Sequence, residues 1–354
     1  MMNLLNPVTE DMIRLLNLND NSLVLDIAGG TGEPGITIAC KLKNGKVVIT
    51  DLAENMVAIA RENATKKNKN VKKIMKKSTL FICQILFVTI VFAQTAIPYG
   101  DNKKIGKYIS INGVRHYYEV YGNGTPLLLI HGNGTGIKGW APQIEYFSKK
   151  YKVYAIDSRG RGKSDLGKDT LSYMQLANDM AVFIKKMNLD SVYIVGKSDG
   201  GIIGILMGIY CPRHIKKIVA FGANMWPDST ALYTACVEDI KKERRNADKM
   251  LAAKDTSQNW YLTQQKNRMM EFQPHITAED LQKIKVPVLV MSCDRDLIRE
   301  EHTFFIYKNI PKSDLCILSG ETHYITKQNP DLFNAMVDKF LAQPYKGNEA
   351  RFTK

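Results

Sequence analysis

The strongest constraint on the fold of this chain is a serine, Ser198, that stands between two glycines, Gly196 and Gly200. Residues 191–195 before it are rich in apolar and β-branched side chains and predict a strand, and residues 202–210 after it favour a helix. A strand that turns into a helix at a serine bends so sharply that side chains two residues to either side would clash. The pattern therefore predicts a strained turn that raises the Ser198 hydroxyl above the sheet, with a helix N-terminus directed at the reacting group.

A second informative segment is the loop that follows the apolar run 126–130. Its sequence at residues 131–134 is His-Gly-Asn-Gly. A loop of this kind at the end of a buried strand can turn backbone N–H groups toward a developing oxyanion. We expect the backbone N–H groups of Asn133 and Asp199 to be the donors, and His131 to be a structural residue of the loop.

Two further segments supply an acid and a histidine. The apolar run 286–291 ends before Asp294 and Asp296, and the run 315–318 ends before His323. Each of these residues follows a predicted strand, and the order serine, acid, histidine is that of a hydrolase triad. The pattern by itself leaves both aspartates as candidates for the acid.

With these motifs, residues from about 108 to the C-terminus resemble the α/β-hydrolase family. The likeness includes residues 154–165, the family's loop after its fourth strand, which departs from the family at Arg161, where histidine is usual. We expect Arg161 to lie at the surface without a catalytic role.

The resemblance also implies a role for each site residue: Ser198 is the nucleophile, His323 the general base and Asp296 the acid that orients it. Asp296 is favoured over Asp294 because family members usually carry glycine at the position of Cys293 and the catalytic aspartate three residues later. The remaining histidines are expected outside the site: His116, His214, His275 and His302.

The serine nucleophile narrows the chemistry. The resemblance implies that the dehalogenase and epoxide-hydrolase branches use aspartate at this position, which leaves the hydrolysis of a carboxylic ester, lactone or thioester of a small molecule. No cofactor and no metal are needed for it, and no cysteines have metal-ligand spacing. A hydrolase-fold protein that binds a ligand without turnover is the alternative, and the complete set of Ser198, Asp296 and His323 argues against it.

The fold class predicted for this region is α/β, with a mostly parallel sheet, helices on both faces and a helical cap insert at about residues 225–285. Two antiparallel strands are expected first, joined by a type I′ turn at Asn112 and Gly113. Seven cap residues are candidates to line an acyl pocket, although most of them could simply pack the cap on the body: Trp226, Tyr233, Trp260, Tyr261, Met269, Met270 and Phe272.

The N-terminal part has a different pattern. Residues 23–35 predict a strand that runs into a glycine-rich loop, and residues 47–51 predict a second strand that ends in an acid. Residues 1 to about 70 resemble the opening of a class I S-adenosylmethionine-dependent methyltransferase, as an incomplete Rossmann-like βαβ fragment. The resemblance implies a vestigial S-adenosylmethionine site at Asp26, Gly30, Gly32 and Asp51. We expect no retained methyl transfer, because most of the sheet is missing.

The segment between the two parts has the features of a secretory signal peptide. Met75 opens a short charged stretch, and residues 80–93 are apolar and too few for a membrane-spanning helix. We expect cleavage after Ala93, and a secreted or periplasmic protein. This divides the chain into a truncated methyltransferase-like fragment (1–74), a signal segment (75–93) and a hydrolase domain (94–354), joined by gene fusion, frameshift or a misassigned start. An uncleaved signal-anchor at residues 80–93, which would attach the protein to a membrane, is the alternative.

Charge and cysteines add little. From Gln94 onward lysine and arginine outnumber aspartate and glutamate by ten, which favours anionic substrates or surfaces. The lysine-rich stretch from residue 66 to residue 77 is better interpreted as linker and n-region than as a nucleic-acid-binding arm. Cys293 and Cys316 are expected on neighbouring strands, and we expect no disulfide between them. The sequence does not determine the oligomeric state.

Overall fold

The structure, a computed structural model, describes residues 22–27, 35–42, 46–51, 54–66, 73–76 and 97–347. The chain divides into two compact units, Met1–Ala93 and Gln94–Lys354. The predicted apolar segment 80–93 and its cleavage site lie outside the described residues. None of the helices within the described ranges is long and apolar enough to cross a membrane.

The first unit contains a three-stranded parallel sheet. Its strands are β1 (Leu23–Ile27), β2 (Lys46–Asp51) and β3 (Lys73–Lys76), in that spatial order, with helices α1 (Gly35–Lys41) and α2 (Glu54–Lys66) between them in the chain. A small apolar core holds the helices on the sheet, and its buried members are Ile36, Ile38, Ala39, Val47, Ile49 and Ala64. The predicted βαβ pattern is present, and the sheet has one strand more than the two that we predicted.

The third strand spans the predicted boundary between residues 74 and 75. Met75 and Lys76, which the sequence analysis placed in the charged region of a signal peptide, pair with Thr50 and Asp51 of β2. Backbone pairing along a strand edge needs no particular side chains, so a short lysine-containing segment can extend the sheet.

The second unit is built on an eight-stranded sheet in the order β11-β10-β9-β8-β6-β7-β5-β4. The first two strands form an antiparallel hairpin, and Asn112 and Gly113 both have positive φ (48° and 76°), as a type I′ turn requires. Strands β6 to β11 pair in parallel, and β7 also pairs with β5 in the antiparallel sense. The strands are β4 (Lys107–Ile111), β5 (Val114–Tyr121), β6 (Pro126–Ile130), β7 (Lys152–Ile156), β8 (Val192–Lys197), β9 (Ile215–Phe221), β10 (Val288–Arg295) and β11 (Ser313–Thr322).

Helices cover both faces of this sheet. Side chains of α4 (Tyr173–Lys186) and α5 (Asp199–Tyr210) belong to the core on one face, and those of α3 (Ala141–Phe147) and α11 (Pro330–Ala342) to the core on the other. The central strands are buried on both sides, and so they consist of continuous apolar runs such as Leu127–Ile130 rather than alternating ones.

The predicted cap insert is helical. Between β9 and β10 the chain forms α6 (Thr234–Ala252), α7 (Trp260–Phe272) and α8 (Ala278–Leu281), and α6 packs against α7. Two short helices at the edge of the sheet complete the unit, α9 (Glu300–Asn309) after β10 and α10 (Ile325–Gln328) after β11.

The last two strands are longer than predicted at their carboxyl ends. Residues 292–295 and 319–322, expected to be loop, continue β10 and β11, because the parallel pairing persists beyond an irregularity to Arg295 and Thr322. The pairing places Cys316 opposite Met291 and Cys293 opposite Leu318, and both cysteines are free thiols.

Candidate active site

The turn at Ser198 has the strained geometry that its glycines predict. Ser198 has φ 54° and ψ −121° and lies between the last residue of β8 and the first of α5. A Cβ atom at Gly196 would lie 2.0 Å from the carbonyl oxygen of Gly200, and one at Gly200 would lie 2.0 Å from the carbonyl oxygen of Ile130. Neither position can hold any other residue without a backbone shift, and the Ser198 N–H is fixed by donation to the Phe221 carbonyl at 2.7 Å.

A buried acid and histidine lie at the ends of β10 and β11. His323 Nδ1 is 2.6 Å from Asp296 Oδ1, and both side chains are buried. Asp296 also accepts hydrogen bonds from the Leu297 N–H and the Ser292 hydroxyl. Burial opposes the charged form of Asp296, but the hydrogen bond and charge of His323 prevail and hold the pKa of the carboxyl below its usual value. With Nδ1 directed at this carboxylate, His323 has Nε2 free to accept a proton.

The other candidate acid, Asp294, has different hydrogen-bond partners. Its carboxylate is exposed and accepts hydrogen bonds from the Gly320 N–H (2.7 Å) and the Ser319 hydroxyl (3.3 Å). These bonds tie the end of β10 to the end of β11, so Asp294 is a structural link between the two strands.

Sequence reasoning missed a glycine beside the histidine. Gly222 has φ 59°, and a Cβ atom there would lie 2.7 Å from Cε1 and 2.8 Å from Nδ1 of His323. The preceding residue, Phe221, stacks on the imidazole with ring centroids 5.9 Å apart. Gly222 follows β9 directly, and a glycine at a strand end is the signal that could have drawn attention to it.

The candidate nucleophile and the histidine lie in the wall of one cavity of about 310 Å³, a volume in the range of small-molecule sites. Ser198 and His323 line it, together with Asn133 and Asp199. Because α5 begins at Asp199, the backbone N–H of that residue has no acceptor within the helix. The structure thus brings both predicted oxyanion donors to the cavity that contains the serine.

The cap contributes other side chains than those predicted. Of the seven candidates, Met270 lines the cavity, and Leu232, Cys236 and Ile240 line it as well. The other six lie elsewhere among the described residues. Trp226 packs on His302 and Phe305; Tyr233 donates to Glu300 and Trp260 to Asp255; Met269 is in the core, and Tyr261 and Phe272 are exposed.

The expectation that Arg161 lies at the surface is wrong. Its side chain is buried, and the guanidinium donates to Asn133 Oδ1 and to the Arg159 carbonyl, both at 3.1 Å. It also lies 3.6 Å from Asp199 Oδ2, and Tyr173 donates to the same carboxylate at 2.8 Å. The reason is that the Asp199 carboxylate points into the protein and needs a cationic partner there.

Burial shifts the pKa values of both Asp199 and Arg161. It raises the pKa of Asp199, against the opposing effects of the Arg161 charge and the Tyr173 hydrogen bond. It also lowers the pKa of Arg161, which the charge of Asp199 opposes. We define Arg161, Asp199, Tyr173 and Asn133 as the arginine cluster, which links the two segments that carry the candidate oxyanion donors.

The other histidines lie outside this arrangement, apart from His131, which lines the cavity. His131 Nε2 accepts from the Ser158 N–H at 3.0 Å, so Nδ1 carries the proton and donates to the Gly132 carbonyl. Burial lowers the pKa of His131 to about 4, and that of His302 to about 4 as well. A histidine with both ring nitrogens bonded to backbone is a structural residue, as predicted for His131.

The predicted cofactor residues of the first unit are only partly described. Gly30 and Gly32 lie outside the described residues, and Asp51 is described as the last residue of β2 without its side chain. The Asp26 carboxylate accepts a hydrogen bond from the Gly35 N–H at the start of α1. Within the described ranges, no group of three His, Cys, Asp or Glu side chains could hold a metal ion.

A serine on a strand-to-helix elbow, with an acid and a histidine after later strands of a mostly parallel sheet, is the arrangement of the α/β-hydrolase fold. Comparisons agree. A family described as "alpha/beta hydrolase fold" matches residues 125–243. The esterase from Exiguobacterium antarcticum has a TM-score of 0.58 at 20% identity, covering 68% of this chain and 100% of that one. The enol-lactonase from Burkholderia xenovorans LB400 has a TM-score of 0.56 at 20% identity, covering 67% of this chain and all of that one.

The second unit therefore has the α/β-hydrolase fold. The human serine hydrolase BPHL is 28% identical over 263 residues, which is 70% of this chain and 90% of that protein. Relatives of this kind support a hydrolase activity. A second family, described as "Methyltransferase domain", matches residues 24–103, so the N-terminal region is methyltransferase-like.

Proposed function

We propose that this protein is a serine hydrolase that cleaves a carboxylic ester, lactone or thioester through an acyl-enzyme on Ser198. The observation that carries the proposal is that Ser198, raised on its strained elbow, shares one cavity with a histidine whose other ring nitrogen is 2.6 Å from a buried carboxylate. A serine hydroxyl is a weak nucleophile until a positioned base removes its proton, and the presence of His323 in the same cavity supports its assignment as that base.

Each step is assigned to a residue. His323 takes the Ser198 proton as the hydroxyl attacks, and Asp296 stabilises the imidazolium that forms. The backbone N–H groups of Asn133 and Asp199 stabilise the oxyanion, each by about 3 kcal/mol in comparable sites. His323 then protonates the leaving group, and water releases the acyl group with the same residue as base.

The direct test is labelling with a fluorophosphonate, followed by hydrolysis of p-nitrophenyl esters of increasing chain length. The wild-type protein should be labelled at Ser198 and hydrolyse the shorter esters, and Ser198→Ala should lose both activities, with turnover reduced by several orders of magnitude. Equal rates for the two proteins would contradict the proposal. A folded protein that binds esters without being labelled would favour the ligand-binding alternative.

A further inference from the structure

The cavity carries two cations that the proposed mechanism does not use. Lys197 is the last residue of β8, directly before the nucleophile, and Lys327 lies on α10, four residues after His323; both line the cavity with Ser198. Asp199 is the one acid among the described lining residues, and its carboxylate already faces Arg161 and Tyr173. The charge that remains unbalanced in the cavity is therefore positive.

Lys197 is held in place without a carboxylate partner. Its Nζ donates to Thr326 Oγ1 at 2.9 Å and lies 5.5 Å from the centroid of the Tyr324 ring, and both of these groups are neutral. An ammonium group has three donor hydrogens, so two remain for a ligand. The groups that face Lys197 are Lys327 from α10 and, from the end of β10, Asp296 and Cys293. Asp296 is already paired with His323.

The position of the two lysines identifies the part of the substrate that they would contact. His323 has to protonate the leaving group, so the leaving group lies on the side of the cavity next to His323. Tyr324 and Lys327 follow His323 in the chain and form that side, whereas the cap side has the apolar residues Leu232, Ile240 and Met270. Burial of Lys197 and the charge of Lys327 both oppose the charged form of Lys197, and an anion bound beside it relieves both effects.

We propose that Lys197 and Lys327 form a carboxylate-binding subsite on the leaving-group side, and that the natural substrate carries a carboxylate on the alcohol portion of its ester or lactone. This inference rests on the proposed hydrolase function and adds the substrate class to it. Its immediate consequence is a preference for a charged leaving group over a neutral one of the same size.

Two esters with the same acetyl group test the preference. 4-Acetoxyphenylacetate carries a carboxylate on the leaving group, and 4-acetoxyphenylacetamide is neutral and nearly isosteric, with the charge separated from the phenol by a methylene. We expect kcat/KM to be roughly tenfold higher for the carboxylate, as is typical of one charge-assisted hydrogen bond. A second pair, phenyl hemisuccinate and its amide, carries the charge on the acyl side and should show no such preference.

Variants of the two lysines locate the effect. Lys327→Gln removes one cation and should reduce the ratio of kcat/KM between the first two esters severalfold. Lys327→Glu places an anion there and should reverse the ratio. Lys327 is exposed, so neither replacement disturbs the packing. Lys197→Met should also reduce the ratio. The control is Lys216→Gln. Lys216 is exposed and lies near the start of β9, and its replacement changes the net charge by the same amount as Lys327→Gln, so the ratio should stay unchanged.

The ratio should also depend on pH. Burial, and after it the charge of Lys327, lowers the pKa of Lys197 to about 8, so the preference should weaken as the pH rises through that value. An effect of pH on the catalytic step itself is common to both esters and cancels in the ratio.

The outcomes separate this inference from the function on which it rests. If all four esters are hydrolysed but the first pair shows no preference, the subsite is refuted and the hydrolase function stands. The same conclusion follows if Lys327→Glu leaves the preference intact. If no ester is hydrolysed, calorimetry with Ser198→Ala still decides: 4-hydroxyphenylacetate should bind roughly tenfold more tightly than 4-hydroxyphenylacetamide. Equal affinities would overturn the subsite.

Discussion

Removal of the Arg161 charge should destabilise the protein in a pH-dependent way. In Arg161→Met the buried Asp199 carboxylate keeps the Tyr173 hydrogen bond but loses its cationic neighbour. At 3.6 Å and an effective dielectric constant of about 20, the lost attraction is about 5 kcal/mol. The carboxyl group can avoid this penalty by binding a proton, which at pH 7 costs about 4 kcal/mol for a group with an ordinary pKa near 4. We therefore expect a loss of about 3–4 kcal/mol in the free energy of unfolding at pH 7.

The sign of the pH dependence follows from linkage. In the variant, the pKa of Asp199 is higher in the folded than in the unfolded protein, so the folded state binds more protons. The penalty is complete above the folded pKa and disappears as the pH falls toward the unfolded value of about 4. The pKa of Asp199 is also raised in the wild type, so the difference between the two proteins should shrink, by at most about 1.4 kcal/mol per pH unit, between the folded pKa of the variant and the lower folded pKa of the wild type.

Urea unfolding followed by tryptophan fluorescence measures this difference. The three tryptophans, at positions 140, 226 and 260, all belong to the second unit, so the signal reports on that unit. The double variant Arg161→Met/Asp199→Asn removes the buried charge and keeps an acceptor for Tyr173, and it should recover most of the lost stability. If Arg161→Met is as stable as wild type at pH 7, or if its loss persists unchanged at pH 4.5 and in the double variant, the electrostatic account of the arginine cluster is refuted.

Three further predictions concern the site and the domain boundary. Gly222→Ala should lower kcat by roughly ten- to a hundredfold, because its Cβ would displace the His323 ring. The control is Gly113→Ala: Gly113 has a similar positive φ with open space around it, so this variant should lose about 1–2 kcal/mol of stability without a change in rate. Asp296→Asn should reduce ester turnover by roughly three to four orders of magnitude and Asp294→Asn by far less, and the reverse order would assign the acid to Asp294. A protein that starts at Gln94 should fold and retain the ester hydrolysis of the full chain, whereas calorimetric S-adenosylmethionine binding by the full chain at micromolar concentration would show that the first unit keeps a ligand site.

Much of the second unit could be predicted because its signals are local. Buried parallel strands require continuous apolar runs, so β6 was located to the residue, and the type I′ hairpin follows from the Asn-Gly pair. The predicted ends of β10 and β11 were less accurate, because the two strands stay paired through polar residues of the kind that usually form loops. In that case the partner strand, not the local sequence, determines where the element ends.

The sequence by itself determined the position of the nucleophile turn. The turn at Ser198 demands glycines at a fixed spacing, two residues to either side at Gly196 and Gly200, so it leaves a mark in the sequence. Only the tertiary structure decided what surrounds it. The residues around it come from segments far apart in the chain: Arg161, Gly222, Lys197 and Lys327. Their proximity to the site depends on how these segments pack together, and no local sequence pattern predicts it. A buried carboxylate, a ring against a backbone and two cations in one cavity are defined by burial and proximity, which exist only once the sheet has assembled.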